Sequence, residues 1–272
     1  MGVYTMSLTS FLKNKDVREK FSYEFRKPSF QENGELRAEP KTKNYTLVGT
    51  AFDYMMRFYL QRINPKSVSK TWVAEHGVSL ISDKKLREKA GKIISKAKKD
   101  HEEYIKKGEM DDRVIESCLC LAQLDPVYRV GFINENMGSI RRGDIEDMKN
   151  LSSLINLELF KSKKVCLLNP TFGEASYLVG GADVDLVIDD TIIDIKTTKF
   201  LKMNRNYLNQ VIGYYYLYLI GGIDGAPKKT KIEKLGIYYS RHGVLYTFPT
   251  EEVINHKKDK EFIKWFKKRA NG

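Results

Sequence analysis

Asp183, Asp185, Asp194 and Lys196 fall within one short segment, GGADVDLVIDDTIIDIKTTK, residues 180–199. Carboxylates with an ammonium beside them are the ingredients of a hard-cation site flanked by a positive group. Asp189-Asp190 reads as a two-residue hairpin turn, which sets Asp185 opposite Asp194 and Asp183 opposite Lys196. Side chains alternate along a strand. Asp183, Asp185, Asp194 and Lys196 are therefore expected on one side, and Val184, Leu186, Ile193 and Ile195 on the other. Facing carboxylates repel and weaken a hairpin unless something binds between them. A divalent cation does this, and Mg²⁺ takes only one or two carboxylates from protein. A lysine alongside can position a water or stabilise charge building on a phosphate. Such a set suits phosphodiester hydrolysis by a metal-activated water. The plainer reading is a hairpin with a wet acidic face, and the dense apolar neighbours count against it.

The elements around this segment change in texture along the chain. Residues 1–45 are polar and read as a loosely packed lead-in. A helix is expected from Gly49-Thr50 to Asn64-Pro65, with Thr50 as its N-cap and Pro65 as its stop. Three helical patterns follow, at 83–107, 110–124 and 143–160, so 66–160 reads as an α-helical block. Period-two segments then mark strands at 163–170, 174–188 and 191–199. YLNQVIGYYYLYLI is an apolar helix closed by Gly221-Gly222, and most of its tyrosines are expected in the core. KLGIYYS and VLYTFP form a hairpin around Arg241-His242-Gly243, and 251–269 reads as one basic amphipathic helix. The order implies a single α/β domain, 1–272, with 66–160 as a helical insertion.

Asp185, a run of apolar residues, then Asp194-Ile195-Lys196 resembles the D…(D/E)-x-K signature of the PD-(D/E)XK nuclease superfamily. Gln210 and Tyr214 are similar to the Q-x-x-x-Y motif of its RecB-like branch, and their spacing puts them on one helix face. Gly49-Thr50-Ala51-Phe52-Asp53 resembles that branch's G-T-x-x-H helix, with Asp53 in place of His. The resemblance implies a restriction-endonuclease-like core, a mixed β-sheet flanked by helices, and an Mg²⁺- or Mn²⁺-dependent deoxyribonuclease, exonuclease favoured over endonuclease. It implies that Asp185, Asp194 and the Ile195 carbonyl hold the metal, that Lys196 is catalytic, and that Gln210 and Tyr214 support the site. Asp53, Glu174 and Asp183 are further candidate ligands. Lys199, Lys202, Arg205 and Arg57 are candidates for gripping a nucleic-acid backbone, Arg57 having the competing role of ion-pair partner to Asp53. Repair, recombination or defence against foreign DNA is the expected setting, with other nucleic-acid-processing proteins as candidate partners. A non-catalytic basic nucleic-acid-binding protein on a nuclease fold is the alternative.

Composition agrees with a polyanion partner. Lys plus Arg number 47 against 35 acids, a formal charge of +12. The lysines from Lys257 to Lys268 are a second candidate stripe for nucleic acid, or else a solvated face. Three cysteines, Cys118, Cys120 and Cys166, fall short of a zinc or iron–sulfur set. No phosphate-binding G-x-x-x-x-G-K-[ST] loop occurs. His76, His101, His242 and His256 are scattered and read as surface residues. Val211 to Ile223 is too short to span a bilayer. A cytoplasmic protein with no membrane partner is expected.

Overall fold

A computed structural model describes residues 7–30 and 34–272. Its first elements are α1 (Leu8–Phe11), α2 (Lys15–Glu24) and α3 (Tyr45–Ile63). A short strand, β1 (Val68–Ser69), precedes α4 (Val73–Ser79), α5 (Lys84–Lys107), α6 (Asp112–Val130) and α7 (Arg142–Ser152). Then come β2 (Cys166–Leu168), α8 (Glu174–Leu178), β3 (Leu186–Ile188), β4 (Thr191–Lys196) and α9 (Arg205–Gly221). The chain finishes with β5 (Lys234–Tyr239), β6 (Val244–Pro249), α10 (Thr250–Val253) and α11 (Asp259–Ala270). No described helix is long and apolar enough to cross a membrane.

The strands form one mixed sheet in the order β1-β2-β3-β4-β5-β6. β2, β3 and β4 are antiparallel neighbours, and α9 carries the chain from β4 to its parallel neighbour β5. Each face of the sheet has its own core. Leu186, Ile193 and Tyr238 pack with α3 and the helices between β1 and β2. Val187, Ile192 and Ile237 pack with α9 and with the N- and C-terminal helices. The protein is thus α/β, a six-stranded mixed sheet flanked by helices.

The hairpin turn falls at Asp189-Asp190 as expected, with Leu186 opposite Ile193 and Ile188 opposite Thr191. Asp189 takes the left-handed conformation, φ 52°, and its carboxylate accepts the backbone N–H groups of Lys163, Lys164 and Val165. Burial would raise its pKa, but those donors outweigh it and hold the carboxyl below its ordinary value.

Several expectations need correction. The strand expected at 174–188 is a helix for Glu174–Leu178 and a strand only from Leu186. Its alternation breaks as well: Val184 packs in the core opposite to that of Leu186. The chain leaves the ladder there, because Asp183 makes an isolated bridge to Thr171 and the Val184 N–H donates to the Pro170 carbonyl. α3 begins well before Thr50, at Tyr45, so Thr50 is interior. The described part of the lead-in is packed: Phe11, Phe21 and Phe25 meet Phe262 and Phe266 of α11 in an aromatic cluster. The tail is broken rather than one helix: α10 ends at Val253, and Val253 and the following Ile254 are buried before α11 begins.

The Arg241-His242-Gly243 turn is buried instead of exposed. Arg241 donates in bidentate fashion to Asp147 of α7, at 2.8 and 3.0 Å, and to the Ala38 carbonyl. His242 Nδ1 meets the Glu35 carbonyl at 2.9 Å. His101 is not a surface residue either; its ring lies 4.3 Å from that of Phe58, and burial lowers its pKa. Arg241 ties the sheet to the helical block with both charges out of water. Arg241→Met is expected to cost ~3–5 kcal/mol, because Asp147 stays behind unpaired, while Arg241→Met with Asp147→Leu should recover most of it. The urea midpoint at unchanged m-value measures both.

Candidate active site

The residues of the acidic segment converge at the C-terminal end of β4. Asp194 is 1% exposed, and its carboxylate Oδ2 lies 2.7 Å from Lys196 Nζ. The same Nζ donates to Gln210 Oε1 at 2.9 Å, and Gln210 Nε2 donates to the Tyr214 hydroxyl at 2.8 Å. Gln210 and Tyr214 occupy successive turns of α9, whose N-cap Asn204 accepts the Tyr207 N–H. The Tyr207 ring lies 5.0 Å from Lys196 Nζ, and the Tyr214 ring stacks on Phe172. The lysine is held from several sides. An ammonium has three donors; Gln210 takes one, and Asp194 Oδ2 pairs with the charge while making no hydrogen bond of its own, so a donor remains for a ligand.

Asp185 stands in the bend just before β3 and accepts the Ile195 N–H on Oδ2 at 2.6 Å. In an extended strand the N–H and C=O of one residue leave by the same edge. The Ile195 carbonyl therefore faces the Asp185 side. Asp53, on α3, completes the acidic group: Oδ2 pairs with Arg57, and Oδ1 is buried without a hydrogen-bond partner.

The electrostatics follow from this crowding. Burial pushes the Asp185 carboxyl well above its ordinary value, and the charges of Asp194 and Asp53 push it further. Burial also raises Asp194, against the pull of Lys196. Asp53 is raised by burial and by Asp125 and Asp183, with Arg57 opposing. Burial would lower Lys196, but Asp194 and Asp185 outweigh it and keep the ammonium charged. Tyr214 stays a neutral phenol, its pKa driven up by burial and by the acids.

Among the described residues, no three His, Cys, Asp or Glu side chains could by themselves hold a metal ion. The arrangement offers two carboxylates and a carbonyl edge, a donor set for a cation that keeps several waters. Nitrogen and sulfur donors are absent from this group, which favours Mg²⁺ or Mn²⁺ over zinc.

The other candidates are placed less centrally. Asp183 accepts from Arg129 Nη2 at 3.2 Å and Asn169 Nδ2 at 2.6 Å. Burial would raise it, but Arg129 and Asn169 hold it below its ordinary value. Asp183 is thus engaged by protein donors, whereas Asp185 faces Asp194. Glu174 is exposed on the first turn of α8, with no hydrogen bond to the acidic group. Of the two roles read for Arg57, the structure shows the ion pair with Asp53 and not the phosphate grip: Arg57 is 3% exposed, paired with Asp53 and packed over the Tyr54 ring. Lys199 and Lys202 are exposed beyond β4, whereas Arg205 is half-buried and donates to the Phe25 carbonyl at 2.9 Å. The tail lysines are exposed on α11 and just before it.

Sequence reading missed Arg129, Asp125 and Asn169. Arg129 bridges Asp125, one turn back on α6, and Asp183. The four-residue spacing of Asp125 and Arg129 was a visible signal, but their link to Asp183 is tertiary. Asp125 also accepts the Tyr54 hydroxyl. Burial holds all three cysteines as thiols, with Cys120 raised to about 11 and Cys166 to about 12, which removes them as nucleophiles.

Neither a family profile, nor a curated protein, nor a solved structure matches this chain.

Proposed function

We propose that this chain is a divalent-metal-dependent nuclease that hydrolyses DNA phosphodiester bonds, built on the restriction-endonuclease-like plan of the RecB-like PD-(D/E)XK enzymes. The observation that carries this reading is the meeting of Asp185, Asp194 and Lys196 at one end of β4, with Gln210 and Tyr214 of α9 bonded in series behind the lysine. The order α3, β2-β3-β4, α9, β5 supports it, since these are the elements that resemblance requires. The surplus of 12 positive charges supports a polyanionic substrate.

Asp185, Asp194 and the Ile195 carbonyl would hold the cation, with water filling the rest of its shell. When bound, the cation supplies positive charge against a phosphate and lowers the pKa of water. Lys196 directs its remaining N–H at the attacking water or at a non-bridging phosphate oxygen and stabilises the negative charge that develops there. Gln210 fixes the direction of that N–H by accepting another, and Tyr214 fixes the Gln210 amide. Asp194 keeps Lys196 protonated as well as placed. Exonucleolytic action on DNA in repair, recombination or defence remains the favoured setting.

The test is cleavage of labelled linear, circular and single-stranded DNA with Mg²⁺, Mn²⁺ or chelator. Cleavage of linear and single-stranded DNA only when a metal is present is the expected result. Equal residual cleavage by wild type and Asp194→Ala would overturn the reading.

A further inference from the structure

A cleft of about 880 Å³ lies between the N-terminal half of α3 and the C-terminal half of α6. Thr50, Asp125 and Arg129 line it, so it ends against the Arg129–Asp183 pair that borders the acidic site. A second, shallower cleft of about 580 Å³ runs along α5, where Lys89, Lys92 and Lys96 face it from one side of the helix. Asn136 and Ser139 line both clefts, so the two adjoin across the loop after α6 and together form a depression there. That loop is pinned to its neighbours. Gln123 Nε2 donates to the Ser139 carbonyl, the Gly138 N–H donates to Gln123 Oε1, and Lys89 Nζ donates to the Glu135 carbonyl.

Two kinds of group in this depression have no work within the fold. The side chains of Lys43, Lys92 and Arg141 are exposed and form no hydrogen bond or ion pair with any described residue. Tyr45 and Phe132 hold their rings in the larger cleft at 48% and 60% exposure. Unpaired cations suit a phosphate backbone. Exposed rings beside them suit unpaired bases, whose faces are free to stack, whereas a duplex hides those faces along its length.

We infer that this depression is the track of a single nucleic-acid strand, running from the acidic site past Tyr45 and Phe132 to the lysines of α5. That one end of the track delivers a phosphodiester to Lys196 rests on the nuclease reading; strand binding itself does not. Anisotropy of a labelled oligothymidylate and of a duplex of equal length, both in chelator so that nothing is cut, tests it. Tyr45→Ala and Phe132→Ala are each expected to weaken strand binding by ~5- to 150-fold, the worth of one base–aromatic stack. Lys43→Glu with Arg141→Glu should weaken it and flatten its salt dependence. All these positions in the cleft are exposed, and unchanged melting temperatures check that the variants fold. Wild-type strand affinity in the cleft variants, or duplex affinity equal to strand affinity, overturns the track. Loss of strand binding in those variants while wild type cuts nothing upholds the track and removes the nuclease reading.

Discussion

Lys196→Ala is expected to lower metal-dependent DNA cleavage by ~10²–10⁴-fold, the range for losing one positioned proton donor or charge-stabilising group. The expectation follows from how much of the protein is arranged around that ammonium. Asp194 lies 2.7 Å away, Gln210 2.9 Å away, and the Tyr207 ring covers it. A group fixed in this way can act on a developing charge without reorganising first. Strand affinity in chelator should stay within a few-fold, since one cation among many touches the phosphates. The variant leaves the Asp194 carboxyl buried without its counter-charge, so some stability is lost. Lys196→Arg separates the two effects. It keeps the charge, but the planar guanidinium cannot reproduce the ammonium's directions, and it should be nearly as inactive while folding more stably. Cleavage by Lys196→Ala within threefold or so of wild type would contradict the assignment at the scale catalytic donors show.

Asp185→Asn is expected to do two opposite things: stabilise the metal-free protein at neutral pH and abolish its response to metal. The Asp185 carboxyl is raised well above its ordinary value of 3.8 by burial and by Asp194 and Asp53. The folded protein therefore retains a proton that the unfolded chain has already released. The stability this group contributes is fully present below the unfolded value and is lost as pH rises through the folded value. Wild type carries that loss at neutral pH. The asparagine variant carries no such loss, and its amide oxygen can still accept the Ile195 N–H. The melting temperature of the variant should exceed that of wild type by ~2–4 °C for each kcal/mol of repulsion relieved, and the gain should vanish as pH falls toward 4 or so. Adding Mn²⁺ should reverse the order, because only wild type gains stability from binding. A variant that melts below wild type at neutral pH in chelator would show that Asp185 is not under repulsion.

The heart of the site was legible in the sequence for a definite reason. Asp189-Asp190 between two apolar runs fixes one register, and period two then aligns Asp185 with Asp194. Gln210 and Tyr214 were legible because one helical face must hold both. What escaped was tertiary. Asp183 was placed beside Asp185 by alternation, but the Thr171 bridge and the switch of Val184 to the other core break the period. The four-residue spacing of Asp53 and Arg57 announced their ion pair, and only the packing of α3 against the helical block shows how deeply Arg57 is buried. The packed start of the chain did leave a trace, since Val17 and Phe21 share a helix face, as do Leu8 and Phe11. The charges between them concealed it. Arg241 gave no sign at all, because its partner Asp147 is far off in the chain.

Calorimetric titration of Mn²⁺ into the full chain at neutral pH, in two buffers of different ionisation enthalpy, is the most direct measurement. The expected result is one site that releases protons on binding, because the raised carboxyls must ionise to become ligands, with no binding by Asp194→Ala. No heat of binding to wild type, or the same isotherm for Asp194→Ala, would contradict a cation held between Asp185 and Asp194 beside Lys196.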